Sequence, residues 1–241
     1  MNSTPFDVGT MLHSRQSPAN QHEVKEMESK PYRQAIGSLM FAATVSQPDI
    51  MFAVSMVSRF LHNYIMKYLQ GTRVLTLRRK ADSTGLVVYS DADFAGDCDT
   101  RWSTKGNMSL LADRPLTWCS HRQKCVSRSA MEAEYIAASD AASEVVWLCS
   151  FLSELGFQLD KPTTLHVGNQ SAIHLFKNTE HHKHTKHTDI KYHYIHEHIA
   201  NNETEVYCVY CNKQLADLFT KPLSTDKLIS NRKVVPMISK K

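Results

Sequence analysis

Four separated stretches carry residues that could do carboxylate chemistry. They are Tyr89-Ser90-Asp91-Ala92-Asp93, Met131-Glu132-Ala133-Glu134-Tyr135, Leu165-His166-Val167-Gly168-Asn169-Gln170 and Gln214-Leu215-Ala216-Asp217-Leu218. Carboxylates gathered from distant segments are what two divalent metal ions need in order to clamp a phosphodiester. Asp91, Glu134 and Asp217 supply three such side chains, whereas the third stretch carries Gly168, which offers no oxygen ligand from a side chain. The sequence therefore poses one question first: is this chain a working enzyme, or a folded site with one member missing?

The elements that would position these residues follow from periodicity. Leu86-Val87-Val88-Tyr89 is short, apolar and rich in β-branched residues, so it reads as a central strand leading to Asp91. Met108–Leu111 and Leu116–Trp118 read as its hairpin partners. Between Ser129 and Leu155 the positions Glu134, Ala138, Ala141, Val145, Leu148, Leu152 and Leu155 recur at steps of four and three, the face of one long helix. Glu134 lies on that apolar stripe, and an inward carboxylate must be paired, protonated or bound to metal. Thr164–Val167 reads as a buried strand, Asn169–Lys177 and His187–Asn201 as helices, Glu205–Tyr210 as a strand and Gln214–Thr220 as a last short helix before Pro222. This order predicts an α/β fold, a mixed sheet covered by helices, with Asp91 and Gly168 at strand ends.

Ahead of the sheet, Ile50, Ala53, Val54, Val57 and Phe60 predict a helix that starts after Pro48-Asp49, and Tyr64–Leu69 a second that stops at Gly71. Residues 1–30 are polar and aperiodic and read as a mobile leader; 73–84 reads as a linker.

Length and composition bound the rest. A chain of 241 residues with 42% hydrophobic content can form one large domain or two small ones. A formal net charge of +4 is compatible with a nucleic-acid partner without requiring one. The first residues lack a secretory pattern, and no apolar run approaches the roughly 20 residues of a membrane span, so no membrane partner is expected. The setting implied is intracellular and reducing, with Cys98, Cys119, Cys125, Cys149, Cys208 and Cys211 as thiols.

Other residues offer further candidates. Asp91, Asp93, Asp97 and Asp99 do not make a calcium loop, because its fifth and twelfth positions are Ala95 and Trp102; Asp93, Asp97 and Asp99 read as a solvated turn. The histidines at 181, 182, 184, 187, 193, 196 and 198 contain no His-Glu-x-x-His, and zinc is not expected. Cys208 and Cys211 form a lone pair on a strand and read as ordinary thiols. Arg122, Lys124 and Arg128 beside Trp118 could follow a phosphate backbone or form a solvated basic loop, and Lys183, Lys186 and Lys191 allow the same two readings.

Several segments together resemble one family. Tyr32-Arg33-Gln34-Ala35-Ile36-Gly37-Ser38-Leu39, Pro48-Asp49-Ile50, Tyr89-Ser90-Asp91-Ala92-Asp93-Phe94-Ala95-Gly96-Asp97 and Ser103-Thr104-Lys105-Gly106 are similar to the C-terminal part of copia-type retrotransposon Pol polyproteins. So are Glu132-Ala133-Glu134-Tyr135-Ile136-Ala137, Asn169-Gln170-Ser171-Ala172-Ile173, Thr185-Lys186-His187 and Ala216-Asp217-Leu218-Phe219-Thr220-Lys221-Pro222-Leu223, in order from about Pro31 to Arg232.

The resemblance implies an RNase H-like domain over 84–223, a reverse transcriptase thumb or connection remnant over 31–83, and a C-terminal tail over 224–241. It implies hydrolysis of the RNA strand of an RNA–DNA hybrid with two Mg²⁺ ions. Asp91 would touch both ions, Glu134 the second and Asp217 the first. The hybrid or another nucleic acid would be the partner, with other Pol or Gag products as further associates.

Gly168 departs from the family's Asp-Asn-Gln-Ser-Ala-Ile pattern. Asn169 would begin a helix and point elsewhere. Mg²⁺ demands near-octahedral oxygen coordination, so the loss implies a weak or inactive nuclease. The segment Leu61–Lys67 is also shorter than the family's, and no Tyr-x-Asp-Asp polymerase motif occurs. A non-catalytic nucleic-acid-binding or decaying retroelement fragment is the alternative. An integrase or transposase shares the fold class, but the Glu-Ala-Glu-Tyr and Ala-Asp-Leu-Phe-Thr-Lys segments fit RNase H better.

Overall fold

A computed structural model describes residues 3–16, 20–28, 30–59, 64–72, 75–77, 85–159, 162–177, 194–235 and 237–239. The helical region comprises α1 (Gln21–Glu28), α2 (Tyr32–Val45), a 3₁₀ turn at Pro48–Ile50, α3 (Met51–Val57) and α4 (Tyr64–Thr72). Proline at the first position of the 3₁₀ turn starts the turn where the sequence places it. Phe60 lies outside the described residues. The helix α4 continues through Gly71 rather than stopping there.

The sheet follows. After a short β1 (Leu75–Leu77) come β2 (Leu86–Ala92), β3 (Thr104–Leu111), β4 (Arg114–Arg122), the long helix α5 (Ala130–Glu154), β5 (Thr163–Val167), α6 (Gln170–Lys177), α7 (194–200) and β6 (Thr204–Cys208). A 3₁₀ helix at Leu215–Phe219, α8 (Thr225–Val234) and β7 (Met237–Ser239) complete the described chain. The strand order is β4-β3-β2-β5-β6. β2 is central, antiparallel to β3 and parallel to β5, so the sheet is mixed, as the sequence predicts.

Alternation along the strands sends side chains to two layers. Leu86, Val88, Leu165, Val167 and Val206 pack against α5, α6 and α7. Met108, Leu110 and Trp118 pack against the helical region, the 3₁₀ helix at Leu215–Phe219 and α8. The indole N–H of Trp118 donates to the Ala43 carbonyl at 2.8 Å, joining β4 to α2.

Three sequence expectations give way here. The leader is not free over its described part: Phe6 and Leu12 are buried, and Phe6 meets Phe52 edge-to-face at 5.7 Å. Two apolar residues in a polar stretch were enough to find the core, since burying each is worth roughly 1.5–3 kcal/mol. The linker contains β1, which pairs antiparallel with β7. Within the described part of the C-terminal tail, α8 buries Leu228 and Asn231. One helix, α5, also proves long and apolar enough to cross a membrane by length and composition (mean hydropathy 1.2), contrary to the sequence reading. Half of its apolar window is buried inside the fold, as in a core helix.

Candidate active site

Asp91 sits near the end of the central strand, within β2 rather than after it, in register with Gly106 of β3. The layers on the two faces of the sheet meet there. Glu134 arrives on the first turns of α5, Gly168 follows β5, and Asp217 comes from the 3₁₀ helix at Leu215–Phe219.

The two glutamates of the Glu132-Ala133-Glu134 segment have separate tasks. Ser129 caps α5 by accepting from the Glu132 N–H at 3.1 Å, and Glu132 Oε2 accepts from the Arg128 N–H at 2.7 Å. This reciprocal pattern is close to a capping box and sets where the helix begins. Glu134, two residues on, then turns inward; it is only 8% exposed, and its Oε2 has no hydrogen-bond partner.

Gly106 allows the 3₁₀ helix to lie directly on β3. A Cβ at that position would fall 2.5 Å from Phe219 Cβ and 3.2 Å from the Phe219 backbone carbon. Ser120 adds a hydroxyl bond to the Phe219 carbonyl at 2.6 Å. These contacts hold Asp217 beside Asp91.

At Gly168, a Cβ would lie 3.3 Å from Glu134 Oε1 and 3.9 Å from Asp91 Oδ1. A side chain there would therefore enter the acidic cluster. Asn169 does not replace it, because its Oδ1 caps α6 by accepting from the N–H groups of Ser171 (2.9 Å) and Ala172 (3.2 Å).

Lysines, which the sequence reading did not single out at this place, complete the cluster. Lys221 Nζ lies 2.5 Å from Asp217 Oδ1 and 3.3 Å from Asp91 Oδ2. Lys227 Nζ donates to Asp217 Oδ2, and the Thr220 hydroxyl donates to Asp91 Oδ2. The signal was present in Asp217-x-x-x-Lys221, a one-turn spacing.

The electrostatics follow from burial. Desolvation, then the charge of Asp91, pushes the Glu134 carboxyl up to about 9. Desolvation raises Asp91 to about 6, with Lys221 pulling the other way. Asp91 and Asp217 outweigh the burial penalty on Lys221 and raise its pKa. Among the described residues, no group of three or more His, Cys, Asp or Glu side chains converges as arranged so that it could hold a metal ion.

The remaining candidates fall elsewhere. Asp97 is not a solvated turn residue: it is buried, pairs with Arg59 at 2.6 Å and Arg122 at 3.3 Å, and accepts from the Asp99 and Thr100 N–H groups. Asp93 accepts from the Thr104 N–H and is pushed up to about 6, chiefly by burial. Asp99 accepts from Ser14, tying the N-terminal segment to this turn. Trp118 is buried in the core and cannot stack on a base, while Arg122 lies 4.4 Å over the Trp102 ring and Lys124 and Arg128 are exposed. His196 and His198 meet Leu175 and Glu203; the histidines at 181, 182, 184, 187 and 193 and the lysines at 183, 186 and 191 lie outside the described residues. All six cysteines are free thiols, with Cys208 and Cys211 exposed.

No family model matches the chain. It is 38% identical over 247 residues to the retrovirus-related Pol polyprotein of transposon TNT 1-94 from Nicotiana tabacum, covering 98% of this chain and 18% of that protein. It is 39% identical over 204 residues to the Pol polyprotein of transposon RE1 from Arabidopsis thaliana, covering 80% of this chain and 14% of that protein. The chain thus spans less than a fifth of either relative. Among solved structures, LC11-RNase H1 in complex with an RNA/DNA hybrid aligns with a TM-score of 0.43 at 14% identity, over 56% of this chain and 93% of that one.

Proposed function

The chain belongs to the copia-type retrotransposon Pol polyproteins, and from that premise we propose that its sheet is an RNase H-like domain whose acidic cluster is a ribonuclease H site weakened by Gly168. The observation that carries this reading is that position 168 faces Glu134 and Asp91, while Asp217 shares Lys221 with Asp91 at the end of the central strand.

The donor set suits a hard divalent ion in kind, since carboxylates are hard oxygen ligands and one buried oxygen of Glu134 lacks a hydrogen-bond partner. It does not suit one as arranged, because Lys221 lies between Asp91 and Asp217. Bound Mg²⁺ would supply charge neutralisation at the phosphate and a more acidic water. The chain's own contribution is to hold carboxylates in a dry, preorganised place at a strand end. Asp91 and Asp217 would serve one ion; Asp91 and Glu134 would serve the other, with no side chain from 168 to complete it.

The substrate proposed is an RNA–DNA hybrid. The exposed Lys124 and Arg128, with Arg122 over Trp102, would contact its phosphates. Binding without cleavage is the second reading, and Gly168 itself favours it.

Cleavage of a labelled hybrid in Mg²⁺ and Mn²⁺ tests both. Gly168→Asp should cut, and the unaltered chain should cut at least about a hundredfold more slowly, from loss of a few kcal/mol of charge stabilisation. Glu134→Gln placed on Gly168→Asp should abolish the gain. Equal rates for the unaltered chain and Gly168→Asp would refute the weakening. Failure of Gly168→Asp to cut would refute the nuclease reading, and loss of hybrid binding as well would refute the second.

A further inference from the structure

Lys221 reaches the site from outside the sheet. It follows the 3₁₀ helix that carries Asp217 and stands one turn beyond it. Its ammonium contacts one oxygen of Asp217 and one of Asp91, two carboxylates that come from segments 126 residues apart in sequence (217 − 91). A single cation between two buried carboxylates is what a bridging metal ion would also provide. Asp91 and Asp217 are 4% and 1% exposed, so leaving both without a counter-charge would be costly. Lys227 neutralises the other oxygen of Asp217.

A second feature gives Lys221 somewhere to go. It lines a cavity of about 160 Å³ together with Thr220, Asp93, Asp97 and Thr104. Asp93 lines the same cavity and is near enough to feel the charge of Lys221. The Lys221 side chain is 43% exposed, so its tip is not locked by packing.

We infer that Lys221 is a tethered counter-ion: it holds Asp91 and Asp217 together in the metal-free chain and competes with a divalent ion for them, swinging into the cavity beside Asp93 when displaced. The inference rests on the metal-dependent reading of this site. It adds that the chain's affinity for divalent ions is set by an internal cation as well as by the number of ligands. With Gly168 in place no further carboxylate joins them, so Asp91 and Asp217 face two ammonium groups and little net negative charge is left to draw in a divalent ion.

Titration calorimetry with Mn²⁺ tests the competition without any turnover. Lys221→Met keeps much of the side chain's bulk and loses its charge; Lys221→Arg keeps the charge. Lys221→Met should bind Mn²⁺ about tenfold more tightly or better than the unaltered chain, while its melting temperature in EDTA falls. Lys221→Arg should stay close to the unaltered chain in both. Equal Mn²⁺ affinity in all three would overturn the inference.

Should Lys221→Met fail to fold, reductive methylation of Gly168→Asp read by mass spectrometry decides. Methylation of Lys221 relative to exposed Lys213 should speed up when Mn²⁺ is added, and an unchanged ratio would overturn the inference. The two proposals fail separately. Equal Mn²⁺ affinities with hybrid cleavage by Gly168→Asp would remove the tethered counter-ion and keep the nuclease. Tighter binding by Lys221→Met with no cleavage by Gly168→Asp would do the reverse.

Discussion

A Cβ on residue 168 would stand 3.3 Å from Glu134 Oε1. The backbone at 168 therefore already aims at the acidic cluster, and its φ is not in the left-handed region that excludes other residues. Glycine is not needed there for chain geometry. An Asp would enter with a shift of a few tenths of an ångström by the flexible end of Glu134.

The first prediction follows from that proximity. Gly168→Asp adds a carboxylate beside Glu134 and Asp91, so in EDTA at pH 7 it should melt at a lower temperature than the unaltered chain. With Mn²⁺ the order should reverse, because an ion that binds only the folded state stabilises it. Thermal melts with and without Mn²⁺ check this; a variant that melts alike in both conditions would count against position 168 as a ligand position.

A second prediction concerns pH. Burial raises Glu134 from an ordinary value of 4.5 to about 9 and Asp91 from 3.8 to about 6. A folded state that holds protons more tightly than the unfolded chain loses stability as pH rises. The contribution is full below about pH 4 and is lost through pH 6 for Asp91 and pH 9 for Glu134. In EDTA, Glu134→Gln, which mimics the protonated acid, should lose less stability between pH 6 and 9 than the unaltered chain. Parallel pH curves for the two proteins would contradict the assignment.

Gly106 supplies the third. Gly106→Ala would press a methyl group to 2.5 Å from Phe219 Cβ, against a segment whose backbone also lies close. Overpacking of this kind costs about 1–3 kcal/mol. Because Phe219 and Asp217 share one 3₁₀ helix, the strain should also lower Mn²⁺ affinity in the Gly168→Asp background. Urea unfolding and calorimetry measure the two effects.

The fourth lies away from the site. The Tyr68 hydroxyl donates to buried Asp49 and accepts from Arg232 at 3.0 Å, so this one hydroxyl joins α4 to α8 and to the 3₁₀ turn at Pro48–Ile50. Tyr68→Phe removes that donor and should cost about 1–3 kcal/mol in urea unfolding. Arg232→Met should cost less, since its guanidinium stands 4.0 Å from Asp49.

Much of this protein was determined by sequence alone. Short apolar, β-branched runs located the five sheet strands and a three-to-four-residue pattern located α5, because each strand and helix must bury apolar side chains whatever its neighbours are. The same logic turned Glu134 inward, and motif order named the family. Only tertiary structure decided the partners. Burial of Phe6 and Leu12, the ordering of 225–234, the pairing of Asp97 with Arg59 and Arg122, and the position of Lys221 between Asp91 and Asp217 all join residues from separate elements. A local pattern shows which way a side chain faces; what it meets there depends on how distant segments pack, and that sets the burial and charge from which the site's chemistry follows.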